Sequence, residues 1–318
     1  RDVGVRLAII HTVYLTGDFD KPPQGTQKRF TERSLDVACD RFDALVERVI
    51  SYADPRLSWA VAAHSLRGVP LEAIIGLKVR LGHMPFHIHA SEQRREVQAC
   101  VERFGVGPVE LLARSEVLDS CTTLVHATHL RAGEAEAIAD TGAAVCFCPT
   151  TEADLGDGIG PASTLFQLGV PLCLGTDGET SLSLIAEARQ LEMHERLRLE
   201  ARNVLNRGQG DHPATHLLTM ATAQGAAALG VDTGELRAGK WADFITLDLH
   251  DPSVVGADDH GLLSTLMFSS DSRALRDVIV GGRFIVTDGQ HPLARDSGTT
   301  YARLAARIFR DKPRVDAA

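Results

Sequence analysis

In Pro85-Phe86-His87-Ile88-His89-Ala90-Ser91-Glu92-Gln93, a short apolar run ends in two histidines, and a carboxylate follows three residues after the second. Residues two apart on a strand share a face, so His87 and His89 look the same way. Neutral imidazole suits Zn²⁺ or Fe²⁺, and a nearby carboxylate can move protons for a water that the ion activates. A histidine pair on one strand is more often structural than metal-binding. The balance changes because other apolar runs end alike, at His11, His64, His126 and Asp177.

Outward from that stretch, β-type apolar runs alternate with longer amphipathic stretches, the pattern of βα units around a parallel sheet. Strands are expected at 5–11, 57–64, 86–89, 122–126, 143–148 and 170–177. Helices are expected at about 31–51, 71–81, 94–104, 109–113, 133–141, a short segment ending at 168, 182–202 and 213–229. Near-continuous apolar strands are those of a parallel sheet buried on both faces. Polar groups at the strand ends fit a (β/α)₈ barrel, whose catalytic groups sit at the C-terminal ends of its strands. Only six strands are visible, so two are expected upstream of Arg1, and the chain reads as starting partway into a domain. The expected division is a barrel over 1–230 and a small β module with a C-terminal tail over 231–318. That module includes a turn feeding a strand at 234–248 and a hairpin at 278–286 turning on Gly281-Gly282.

The 318 residues carry a formal net charge of −9, which disfavours nucleic acid or an anionic membrane surface as a partner. No apolar run has the length of a membrane span and no signal peptide stands at the start. Six irregularly spaced cysteines read as thiols of a reducing compartment, and the chain is expected to be cytoplasmic.

Each candidate has a plainer reading. Glu92 alone would be a solvated acid at a helix start, stabilised by the helix dipole. Three residues after a ligand, it can pass a proton to a leaving nitrogen. Asp177 would otherwise be a helix cap. On the last strand and followed by Gly178, it reads better as a metal ligand and general base. His126 ends its run and should face the pocket, whereas His129 lies in the loop beyond and reads as a surface residue. His64 and Arg67 follow the same strand-end logic. Arg67 could grip a carboxylate with its planar fork, and a surface salt bridge is an equal reading. Cys146 and Cys148 read as core packing, since thiolate ligands belong to closed structural sites. The loop from Gly156 to Gly160 lacks the Lys-Ser/Thr of a phosphate loop.

The stretches His64-Ser65-Leu66-Arg67, His87-Ile88-His89-Ala90-Ser91-Glu92-Gln93 and Leu124-Val125-His126-Ala127-Thr128-His129 resemble those of the amidohydrolase superfamily of metal-dependent barrels. Cys148-Pro149-Thr150-Thr151-Glu152-Ala153-Asp154-Leu155-Gly156-Asp157-Gly158 and Gly175-Thr176-Asp177 complete the likeness, and the first of these is most similar to its formimidoylglutamate deiminase branch. The resemblance implies one Zn²⁺ per site, with Fe or another divalent ion as a substitute. It makes His89 and Asp177 ligands, Asp177 also the acceptor of the water's proton, and Glu92 the acid for the leaving nitrogen. His126 would orient water and substrate, and His64 and Arg67 would hold a carboxylate of a small dicarboxylate substrate. The implied reaction converts N-formimino-L-glutamate to N-formyl-L-glutamate and ammonia, a step of histidine degradation. His87 is left as core.

In this family a His-x-His pair on the first barrel strand supplies two further ligands, and no such pair precedes His89 here. A barrel lacking two strands would expose edges and an apolar interior, so the chain is expected to be part of a longer protein. Two rivals stand beside the deiminase reading: a related deaminase acting on a nucleobase-like ring, and a catalytically inactive barrel in this form. A homodimer is compatible with the sequence, which does not determine the oligomeric state.

Overall fold

The computed structural model describes residues 2–19 and 21–309. The predicted starting residue and the last part of the predicted tail, 310–318, lie outside them. Six parallel strands pair in sequence order: β1 Leu7–Val13, β2 Leu57–Ser65, β3 Phe86–Ala90, β4 Thr122–His126, β5 Ala144–Phe147 and β6 Leu172–Leu174. Between and after them come α1 Leu35–Ser51, α2 Leu71–Leu81, α3 Arg94–Phe104, α4 Pro108–Arg114, α5 Glu134–Thr141, α6 Pro149–Leu155, α7 Ala162–Gln167, α8 Leu184–Leu199, α9 Pro213–Thr219 and α10 Gly225–Ala228. A second, antiparallel sheet joins β7 Phe244–Leu247, β8 Leu275–Val280 and β9 Arg283–Val286, with α11 Leu262–Phe268 between its first two strands and α12 Ser297–Phe309 after the last.

The predicted strands and helices recur with small shifts at their ends. The first strand runs two residues later than expected, because Val5 and Arg6 lie before the ladder and Thr12 and Val13 extend it. Residues 149–155, read as a strand end and loop, form helix α6, started by Pro149 at its first position where no N–H is needed. The expected helix over 213–229 is interrupted by a π turn at Met220–Gln224. The turn between β8 and β9 is Gly281-Gly282, both with positive φ, as a two-residue hairpin of this twist requires.

The sheet is strongly curled. Inner-face residues from β1 (Ala8, Ile10, Thr12) to β6 (Cys173, Leu174) line one cavity of about 630 Å³, closed on another side by the π turn and α10. Phe86, Ile88, Leu124, Val145 and Phe147 are fully buried within the sheet and its helical layer. Each contributes about 1.5–3 kcal/mol relative to exposure. β1 and β6 are the outer strands, and no strand among the described residues pairs with their free edges. α11 packs on α8 and α9, so residues beyond 231 also cover the first sheet's helices. Arg6, just before β1, binds both carboxylate oxygens of Asp243 at 2.6 and 3.0 Å and ties the two sheets together.

Candidate active site

His89 is set by a defect in its neighbour. β2 pairs with β3 through Ala63 and then Ser65, skipping His64, so His64 bulges from the ladder. Its freed carbonyl accepts a 2.7 Å hydrogen bond from His89 Nδ1. A carbonyl only accepts, so Nδ1 carries the proton and Nε2 is left as a bare donor atom facing the lumen. The His64 ring bonds Ser65 Oγ and stacks edge-on against Tyr14 with 4.5 Å between centroids. Burial, then the neighbouring His89 and Arg67, hold the His64 imidazole down at about 3, so it is neutral near pH 7.

Glu92 lies just beyond β3. Ser91 takes a left-handed backbone with φ 54° and folds the chain back over the strand end. There the Glu92 N–H donates to Glu96 Oε2 at 3.0 Å, and its carboxylate accepts from Arg67 Nη2 at 2.9 Å. Arg67 Nε stands 4.0 Å from Glu96, whose own carboxyl is raised by burial. The predicted carboxylate-gripping arginine is thus engaged with the predicted acid. It still borders a cavity of about 290 Å³ together with Tyr14, Gln27, His64 and Arg95.

His126 ends β4 in a strained stretch, with φ 74° and 49° at His126 and Ala127. Its Nδ1 bonds Glu152 at 3.2 Å. Its Nε2 is buried without a hydrogen-bond partner, 3.7 Å from Asp177 Oδ2. Burial alone would lower the His126 pKa, but the Glu152 bond and the charges of Glu152, Glu92 and Asp177 raise it. The His89 and His126 rings stack at 5.5 Å. Burial and His126 push the His89 pKa down.

Helix α6 brackets this wall. Thr150 gives its N–H and hydroxyl to the buried Glu187 of α8 at 2.9 and 2.5 Å. The Thr151 hydroxyl donates to Thr176 O at 3.2 Å and accepts from Gly178 N at 3.0 Å, holding the loop that carries Asp177. Glu152, 2% exposed, binds the Cys148 N–H as well as His126. Beneath the Asp177 loop lie the thiols of Cys146 and Cys148; a side chain at Gly175 would press on both at 3.2 and 3.1 Å.

The structure therefore brings His89 and Asp177 together on the lumen wall with His126 buried against both, while Glu92 is held by Arg67, and Arg67 and His64 line the neighbouring smaller cavity. His87 also borders the lumen, 9% exposed, with its pKa held by burial at about 4. Two sequence readings change. His11 points to the outer face against Phe42, away from the lumen. His129 is half-buried and bonds Asp157 O at 2.7 Å, so it braces the loop. Glu152, Glu96, Thr151 and Tyr14 went unassigned in the sequence. For Glu152 a signal existed: a carboxylate four residues after Cys148 can reach back to a free N–H at a helix start.

The donors suit a divalent ion in kind. His89 presents Nε2 with its other nitrogen on a carbonyl, as metal-bound imidazoles do. His126 Nε2 is an orphan, and Asp177 is a half-open carboxylate. In arrangement they fall short: among the described residues no three His, Cys, Asp or Glu converge to hold an ion, and a catalytic zinc takes three protein ligands.

The family model described as "Amidohydrolase family" matches residues 5–285. The chain belongs to the amidohydrolase family. As an amidohydrolase, it is 34% identical over 310 residues to a formimidoylglutamate deiminase of Pseudomonas aeruginosa, covering 96% of this chain and 67% of that protein. It is 32% identical over 292 residues to a 5-methylthioadenosine/S-adenosylhomocysteine deaminase of Halobacterium salinarum, covering 90% and 63%. Among solved structures, an amidohydrolase from Brucella melitensis matches with a TM-score of 0.87 at 28% identity, over 97% of this chain and 67% of the other. An adenosine deaminase from Xanthomonas campestris with bound zinc shares the fold, with a TM-score of 0.80 at 24% identity, over 98% and 66%. This amidohydrolase spans about two thirds of the length of these relatives. Among the described residues no helix is long and apolar enough to cross a membrane.

Proposed function

We propose that this chain carries the catalytic wall of a metal-dependent deiminase that hydrolyses N-formimino-L-glutamate to N-formyl-L-glutamate and ammonia. The observation that carries the reading is the His89–His126–Asp177 cluster, bracketed by the Pro149-Thr150-Thr151-Glu152 turn and capped by Glu92. The 34% identity to the Pseudomonas deiminase supports the substrate. His89 and Asp177 would hold a divalent ion, zinc by preference. When bound, such an ion polarises the C–N carbon and lowers the pKa of water.

The chain's own residues do the rest. Water adds to the formimino carbon as Asp177 takes its proton. His126, fixed by Glu152, directs Nε2 at the same place. Glu92 protonates the former imino nitrogen, the C–N bond breaks as the adduct's hydroxyl gives up its proton to form the formyl C=O, and ammonia leaves carrying both protons of the water. Tyr14, His64 and Arg67 border the cavity beside Glu92, where a carboxylate of the substrate would pair with Arg67.

A second reading, deamination of an adenosine-like ring, is supported by the Halobacterium relative and by the lumen's largely apolar lining, including Ile10, Val125 and Leu184. Ammonia release measured separately with each substrate distinguishes the two. With the metal-loaded protein, N-formimino-L-glutamate should be turned over and 5′-deoxyadenosine should not. Glu92→Gln should lower kcat by about 10²–10⁴-fold, the range for a positioned proton donor. Turnover of the ring alone would replace the first reading by the second. Full activity after chelation, with no bound metal by elemental analysis, would remove both.

A further inference from the structure

Outside the lumen, and sharing no lining residue with it, lies a larger cavity of about 790 Å³. One wall is the exposed side of α3, with Arg94, Gln98 and Glu102. The other consists of the loops after β4 and α6, with Thr128, Arg131 and Asp157. Arg198 of α8 reaches its margin, already committed to Glu195 and Ser163. Among the described residues, neither Arg94 nor Arg131 has an ion-pair or hydrogen-bond partner for its guanidinium. Two further polar atoms in the lining are buried and without a partner, Thr128 Oγ1 and Asp157 Oδ2.

Arg94 and Arg131 are both exposed and face one cavity from its two walls, on a chain whose net charge is −9. Burial raises the Asp157 carboxyl above its ordinary value, and Glu102 also lines the cavity. Guanidinium presents donors in a planar fork that fits carboxylate or phosphate oxygens at two points. A buried hydroxyl left without a partner costs free energy unless something in the cavity bonds it. The volume is ample for a small organic molecule.

We infer that this cavity is a binding site for a small oxyanion-bearing molecule, held between Arg94 and Arg131 with Thr128 Oγ1 as an additional partner. It is separate from the proposed catalytic wall and does not rest on the proposed reaction. The two adjoin where Arg94 follows Glu92 and Thr128 follows His126 by two residues, where the His129 N–H donates to Ser91 O, and in the loop after α6, where the Asp157 N–H donates to Glu152 O.

The test is calorimetric titration of the whole protein with inorganic phosphate and, separately, with glutarate. These two arms separate a phosphate from a carboxylate source. At least one should bind, and Arg94→Gln/Arg131→Gln should weaken it by about tenfold or more, equivalent to about 1.4 kcal/mol. Arg29→Gln, an exposed arginine elsewhere, should leave the affinity unchanged. Thr128→Val should weaken binding without disturbing the fold, since that hydroxyl has no partner to lose. Raising the salt should weaken binding in parallel. No heat with either anion up to millimolar concentration would overturn the inference. Equal loss in Arg29→Gln, which would mark a diffuse charge effect, would do so too.

Discussion

The two sides of the lumen differ in kind. On the side of β3 to β6, strand ends carry histidine or aspartate, and their side chains are tied to a second set of groups: His89 to the His64 carbonyl, His126 to Glu152, the Asp177 loop to Thr151. On the side of β1 and β2, the inner face offers Ala8, Ile10, Thr12 and Ala62, small or apolar and without such ties. One half is built to hold polar atoms in fixed places, and the other only to shape space. Positioned chemistry demands buried polar groups held in place by fixed partners, whereas a wall needs only volume. Sensitivity to substitution should follow the same divide.

The largest effect is expected at Glu152. Its carboxylate holds both the Cys148 N–H and His126 Nδ1 in a buried place. Glu152→Ala leaves two buried donors without an acceptor, at about 1–3 kcal/mol each. We expect a loss of about 2–5 kcal/mol in urea unfolding and a collapse of activity. Glu152→Gln, which keeps one acceptor oxygen, should recover part of the stability. If both variants unfold like the wild type, α6 is not the bracket described here. Next comes Thr151→Val, which keeps the shape but frees Thr176 O and Gly178 N. It should cost about 1–2 kcal/mol and loosen the Asp177 loop, visible as faster amide exchange at Gly178. Unchanged exchange there would place the loop's order elsewhere.

This divide also explains what could be read in advance. The six strands, most helices and the residues His64, His89, Glu92, His126 and Asp177 stand out because continuous apolar runs and strand-end polarity are local signals. The bracket does not, because it is a matter of contact between distant segments. Thr150 meets Glu187 thirty-seven positions away, and nothing in either neighbourhood announces the other. α6 is not legible because its seven residues are too few to show a helical period, and only Pro149 and the Cys148–Glu152 spacing hint at it. His11 misled for the opposite reason. It lies at the end of an apolar run like the others, but the observed strand continues to Val13, so the end of the run is not the end of the strand.

His11 and Thr12 are neighbours on β1 with opposite outlooks, and they close the range of expected effects. His11 faces α1 with its Nε2 buried and unpartnered, and burial lowers its pKa from 6.5 against Glu32, while Arg41 lowers it further. A folded pKa below the unfolded one means stability that is present above pH 6.5 and lost as pH falls toward the folded value. The slope cannot exceed about 1.4 kcal/mol per pH unit for one group. His11→Leu should therefore flatten the acid limb of a Tm-against-pH curve below 6.5, and an unaltered limb would show that His11 is not buried neutral. Thr12 looks the other way, exposed toward the lumen from the wall without chemistry. Thr12→Val removes a hydroxyl that no buried group depends on, and stability should stay within about 0.5 kcal/mol of wild type, as for surface changes away from special features. A loss of the size expected at Thr151 would mean that the bare wall is also held by polar contacts, and the contrast between the two sides would fail.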